Sequence, residues 1–210
     1  MKKVAALALS LPFVLGACAS TKHVDVSTGS PFTPAWTPSW SFDTEMMRLE
    51  PLRPAVAKLD YDGFMSSIPQ LQASLHWGSW PNENFTLEQN EKDLVHHWNE
   101  FGTGENYAYT VLSPDRSHCL GCIYINSVED APRTAEVAYW VTDEGLAMDL
   151  DRHLLEQVTA WFQRDWPLDR AVFPTHVENA RGQELAEQVG LVKEGEPNRG
   201  RVAWVWTRAS

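Results

Sequence analysis

From Ala135 to Leu191 the chain reads AEVAYWVT, then DEGLAMDLDRHLLEQVTAWFQRDWP, then LDRAVFPTHVENARGQELAEQVGL, and this succession leaves few folds open. Ala135 to Thr142 is rich in β-branched and aromatic residues and reads as a buried strand. Leu150, Leu154, Leu155, Val158, Trp161 and Phe162 then recur at helical spacing. Asp149 or Asp151 is the natural cap of that helix, and Pro167 closes it. Arg170 to His176 reads as a second strand, and Asn179 to Val189 as a second helix stopped by Gly190. Strand, helix, strand, helix over so short a stretch is a βαβ crossover, which sets the two strands parallel and adjacent.

The rest of the chain extends this unit within one domain, 42–210, and shows no internal repeat. Met47 to Leu52 reads as a first strand, and Asp60 to Leu75 as a helix broken at Pro69. The loop His76 to Phe85 is dense in turn formers and Trp; it lines a substrate mouth, forms a partner surface or packs over a sheet edge. Thr86 to Gln89 is a capping box opening a helix to Phe101, with Gly102 as its stop. Tyr107 to Leu112 and Cys119 to Ile125 form a hairpin about a Ser-Pro-Asp-Arg turn, and a last hairpin flanks Gly195 to Gly200.

The start of the chain has a separate character. Lys2 and Lys3, an apolar run from Val4 to Leu15, and Leu15-Gly16-Ala17-Cys18 follow in the order of a lipoprotein signal (1–17), with Cys18 as the lipidation site. Residues 18–41, rich in Ser, Thr and Pro, read as a tether. The expected location is the cell envelope, lipid-anchored, and the outer membrane where there are two; a start at Met46 or Met47 gives a cytoplasmic protein instead. A net charge of −11 argues against a nucleic-acid surface.

Three stretches resemble the GNAT N-acetyltransferase superfamily, in the branch that acetylates ribosomal-protein N-termini: FDTEMMRLEPL (Phe42 to Leu52), AEVAYWV (Ala135 to Val141) and ENARGQELAEQVGLVKEG (Glu178 to Gly195). The resemblance implies an α/β fold with a mixed, mostly antiparallel sheet and one central parallel pair splayed around a cofactor. It implies acetyl-CoA, with its pantetheine along the central strand at Tyr139, Trp140 and Val141, and Asn179 and Arg181 as further cofactor contacts. It implies Glu136 as the general base and a small-molecule or peptide amine as acceptor. The family's glycine-rich phosphate loop is replaced: its small-residue places hold Ala147, Asp149 and Asp151, and its usual helical Tyr is Ala186. Two carboxylates there oppose a diphosphate, so acetyl-CoA is a doubtful ligand, and a non-catalytic, membrane-tethered binding domain is the competing reading.

Each candidate also has a plain structural role. Glu136 reads as a paired strand carboxylate, Asn179 as a helix cap, and Arg181 as a surface cation. Cys119 and Cys122 have redox spacing, yet positions three apart on a strand face opposite ways. The seven His residues show no metal-ligand spacing, and His96-His97 read as a solvated helix face.

Overall fold

A computed structural model describes Phe32 and residues 36–210. Among the described residues there are eight strands: β1 (Phe42–Asp43), β2 (Arg48–Pro51), β3 (Asn106–Leu112), β4 (Cys119–Ser127), β5 (Thr134–Val141), β6 (Arg170–His176), β7 (Val192–Asn198) and β8 (Arg201–Thr207). They form one sheet in the order β1-β2-β3-β4-β5-β6-β8-β7. Only β5 and β6 are parallel; every other neighbouring pair is antiparallel. This is the mostly antiparallel α/β architecture that the resemblance implies, with the parallel pair that the crossover pattern predicts.

Helices cover both faces. On one side lie α1 (Ala57–Met65), α2 (Ile68–Leu75) and α3 (Leu87–Thr103), whose Phe64, Leu71 and Leu94 share a core with Cys122 and Trp140. On the other lie α5 (Leu150–Asp165) and α6 (Ala180–Gln188), with Leu154, Val158, Phe162 and Leu185 packed on Ile123, Ile125 and Val137. The strands alternate accordingly: Trp140 faces the α1–α3 side, and Val137 and Val141 the α5–α6 side. The short α4 (Asp143–Ala147) joins β5 to α5. Pro69 sits at the start of α2, so the break in the 60–75 pattern is a helix boundary, as expected.

Four expectations need correction. The segment read as a tether is partly core: Phe32 is buried against Tyr107 (5.3 Å) and Trp166 (5.9 Å), Trp36 packs on Trp166 at 4.7 Å, and the Tyr109 hydroxyl donates to the Ser39 carbonyl at 3.0 Å. Isolated aromatics between prolines carry no periodicity, so only the tertiary fold shows where they dock. The lipidation expected at Cys18 falls outside the described residues, as does the signal expected at 1–17. Gly102 lies within α3; the stop is Gly104, left-handed at φ 74°, whose N–H bonds back to the Phe101 carbonyl at 3.3 Å. Cys119 and Cys122 are free, buried thiols on the same face, because a bulge pairs Leu112 with Cys119 but Val111 with Gly121 and so shifts the alternation by one. His97 is half-buried, its ring 5.3 Å from Tyr124, and so does not belong to a solvated face.

Candidate active site

The parallel pair holds for only three rungs: Thr134 with Arg170, Ala135 with Ala171, and Glu136 with Val172. Beyond Val172, β6 stays paired with β8 as far as His176, whereas β5 has no β6 partner from Val137 onward. The strands therefore part and leave a cleft of about 310 Å³. Its walls are 137–141 of β5, 173–176 of β6, the start of α6 at 179–182, and the end of α2 with Trp77. Backbone donors and acceptors along β5 that lack a strand partner are the polar lining such a slot offers an extended ligand.

The structure brings most of the predicted residues here. Tyr139, Trp140, Val141, Asn179 and Arg181 all line the cleft. Trp140 contributes main chain, since its indole is buried on the far face and donates to the Tyr124 hydroxyl at 3.3 Å. Burial pushes the Tyr139 phenol above its ordinary range. Asn179 is a cap as well: its side-chain oxygen accepts the Gly182 N–H at 2.8 Å, and a Cβ on Gly182 would lie 2.7 Å from that amide. Glu136 is buried at the closed root, where the strands still pair, and is not part of the cleft lining. Burial raises its pKa, and the half-buried Arg201 guanidinium partly offsets this. Ala186 sits in the core, so no phenol takes its place on α6.

The turn between β5 and α5 differs from expectation. Asp149 occupies the N-cap position of α5 in a left-handed conformation (φ 58°), but its side chain caps nothing. Arg181, read from sequence as a surface cation, crosses from α6 instead. Its Nε and Nη2 reach the Asp151 carboxylate at 2.6 and 2.7 Å, and its Nη2 also reaches Asp149 at 2.7 Å. Arg152 holds the other Asp149 oxygen at 2.9 Å. Asp151 in turn accepts the Arg152 N–H at 3.0 Å, which places a carboxylate on the first turn of α5. These bonds hold the Asp149 pKa below the usual carboxylate range, Arg152 first and Arg181 second, and Asp151 above all raises that of Arg181. The compensating cation for the two aspartates thus comes from the opposite wall of the cleft. Turn amides are also used internally: Gly145 bonds to Thr142 Oγ1 (3.1 Å), Leu146 to the Thr142 carbonyl (2.9 Å), Met148 to Gly145 (3.1 Å) and Asp149 to Leu146 (3.1 Å).

One cluster went unseen in the sequence. His76 ends α2, His176 ends β6, and Glu178 follows; a hundred residues separate the two imidazoles, which stack with centroids 3.6 Å apart. No local spacing announces such a pair; only the placement of α2 over the parted strands creates it.

With this geometry in view, comparison with known proteins decides the family. The acetyltransferase (GNAT) domain model matches residues 48–192. The chain belongs to the GNAT acetyltransferase family. Escherichia coli ribosomal-protein-serine acetyltransferase is 23% identical over 126 residues, covering 60% of this chain and 67% of the relative. Among solved structures, ribosomal-protein-S5-alanine acetyltransferase from Vibrio fischeri superposes with a TM-score of 0.70 at 16% identity, over 81% of this chain and 97% of that one. RimL, a ribosomal α-N-protein acetyltransferase in complex with coenzyme A, gives 0.67 at 16% identity, over 79% and 96%. At these identities the structural likeness speaks for the GNAT fold alone.

Coenzyme A fits this GNAT domain only in part. The parted strands suit its extended pantetheine arm. Its diphosphate does not fit the β5–α5 turn as it stands, because four amides are internally bonded and two carboxylates occupy the helix start.

Proposed function

We propose that this domain transfers an acyl group to the amine of a small molecule or peptide. The observation that carries the reading is the three-rung parallel pair that opens into a slot lined by β5 main chain. Support for an amine acceptor comes from the family, whose relative from Escherichia coli is a ribosomal-protein-serine acetyltransferase, and from the net charge of −11, which favours a cationic partner; the cleft lining itself is balanced, Asp151 and Glu178 against Arg181 and Arg201. Glu136 is the proposed proton acceptor. A carboxylate whose pKa is raised by burial is a stronger base than a solvated one, and the Arg201 charge offsets part of that rise. Being at the root, Glu136 acts on an amine that has reached the inner end of the cleft. Incubation of the full chain with acetyl-CoA and a panel of primary amines and N-terminal peptides, with thiol release as readout, tests this. Glu136→Gln is expected to lower turnover by about a hundredfold or more with an unchanged melting temperature. Turnover that survives the substitution rules Glu136 out as the base.

A second reading rests on the Arg181–Asp151 pair, which lies where the diphosphate of the coenzyme would need room: a binding domain that kept the fold and lost the cofactor. Calorimetry with acetyl-CoA separates the two. Micromolar binding supports the transferase, and no heat up to millimolar ligand supports the binding domain. We further propose lipid anchoring at Cys18, on the sequence pattern alone; intact-mass analysis of the native N-terminus tests it, and an unmodified start at Met1, Met46 or Met47 refutes it.

A further inference from the structure

Three potential ligand atoms converge at the cleft mouth. One nitrogen from each of His76 and His176 and an oxygen of Glu178 lie within 4.8 Å of one another. His76 Nε2 is 3.3 Å from Glu178 Oε2, yet it is a buried atom that forms no hydrogen bond. The distance is short but the direction is wrong for N–H···O, as for two ligands of one ion rather than a donor and its acceptor. Adjacent ligands of a tetrahedral zinc bonded at about 2.0–2.1 Å stand about 3.3 Å apart. His176 Nδ1 is 3.9 Å from the same carboxylate, about 0.6 Å beyond that spacing, and because the two rings stack at 16° one of them tilts for both lone pairs to meet at one ion. The Glu178 N–H lies 3.3 Å from that nitrogen and donates to it, so Nδ1 is the unprotonated nitrogen, and an ion bound there takes the place of this long hydrogen bond.

The surroundings hold these groups in place. The Arg201 guanidinium donates to the Leu75 and His76 carbonyls at 2.9 and 3.1 Å, pinning the turn that carries the first imidazole. His176 is fixed by the pairing of its strand with Arg201. The two imidazoles stack with centroids 3.6 Å apart, so each ring restrains the other. Arg201 opposes a cation here, and Glu136, which faces it, offsets that charge.

We infer that His76, His176 and Glu178 form a binding site for a divalent transition-metal ion, zinc foremost, at the mouth of the cleft. Two imidazoles and a carboxylate are the donor set of an open zinc site, selective over magnesium, which prefers all-oxygen shells. His176 and Glu178 line the cleft, so an ion held by them stands at its edge. Binding would join the end of α2 to the β6–α6 turn and stiffen the cleft against closure or widening. The inference concerns these three side chains and holds whether or not the cleft transfers acyl groups.

The test is calorimetric titration of the metal-stripped full chain with zinc chloride, alongside magnesium chloride and thermal melts. Expected are one zinc ion at micromolar affinity, a raised melting temperature, and no magnesium heat. His176→Gln and Glu178→Gln are each expected to weaken zinc binding at least tenfold. His76→Asn, chosen because residue 76 is left-handed, is expected to do the same. The His96→Gln, His97→Gln double variant is expected to bind zinc as the wild type does. Absence of zinc heat in the wild type overturns the inference. So does zinc affinity that persists in Glu178→Gln and His176→Gln proteins whose melting temperatures without metal match the wild type.

Discussion

Replacing Asp151 by Asn probes the feature that most separates this domain from a coenzyme A site. The carboxylate is 6% exposed and takes two bonds from Arg181, which is 49% exposed. Asn keeps the shape and removes the charge, while Asp149 still holds the guanidinium. Because Arg181 is half in water, the lost charge-assisted bond is worth about 1 kcal/mol after screening. The expected fall in melting temperature is about 2–4 °C. The effect on an anionic ligand is larger. A carboxylate about 4 Å from a phosphate is repelled by ~1 kcal/mol in bulk water and ~4 kcal/mol near a protein surface. A gain in coenzyme A affinity of at least about fivefold follows. Titrating wild type and variant with both coenzyme A and pantetheine isolates the effect, since pantetheine lacks the diphosphate and its affinity is expected to stay constant. If the ratio of the two affinities does not move, or if the wild type already binds coenzyme A far more tightly than pantetheine, the argument from the Arg181–Asp151 pair is wrong.

Phe32→Ala removes a buried ring from the aromatic cluster and is expected to cost about 3 kcal/mol, lowering the melting temperature by roughly 6–12 °C; an unchanged melt returns residues 32–41 to the status of a tether. Asp60 is buried, with Oδ1 unpartnered and Oδ2 accepting from Asn90, and burial pushes its pKa up from 3.8 to about 6. Because the folded value is the higher one, its contribution to stability is present below about pH 4 and lost as pH rises through 6. Asp60→Asn is therefore expected to stabilise the protein by on the order of 3 kcal/mol at pH 8 and hardly at all at pH 4; equal effects at both would refute the desolvation account. Burial also pushes the Cys119 thiol up to about 12, so Cys119 and Cys122 are expected to resist a thiol reagent at pH 8 until the chain is unfolded in urea; fast labelling of the native protein counts against their burial.

The fold was readable from residue order because its signals are local. The apolar stripe of α5, the capping box at Thr86 and the β-branched run of β5 each reflect a period or a turn set by neighbours in sequence. Parallel pairing of β5 with β6 followed from chain connectivity. Tyr139 to Val141 and Asn179 were legible as cleft residues through the family resemblance of their stretches. Arg181 was legible as a position and not as a partner, since its aspartates lie thirty and thirty-two residues away. Gly102 and Gly104 show the limit even of local rules: two glycines stand at one helix end, and only the backbone dihedral tells which one stops it.

What sequence alone determined is the order of elements, the crossover that makes one strand pair parallel, and the chemical strangeness of a phosphate turn rich in aspartate. What only the tertiary structure decided is how charge and ligand atoms meet. Arg181 bridges the cleft to Asp149 and Asp151, His76 stacks on His176 beside Glu178, and Phe32 enters the core. The physical reason is range. Secondary structure is specified by contacts within a few residues, whereas ion pairs, metal-like clusters and aromatic docking depend on distances that chain separation does not encode.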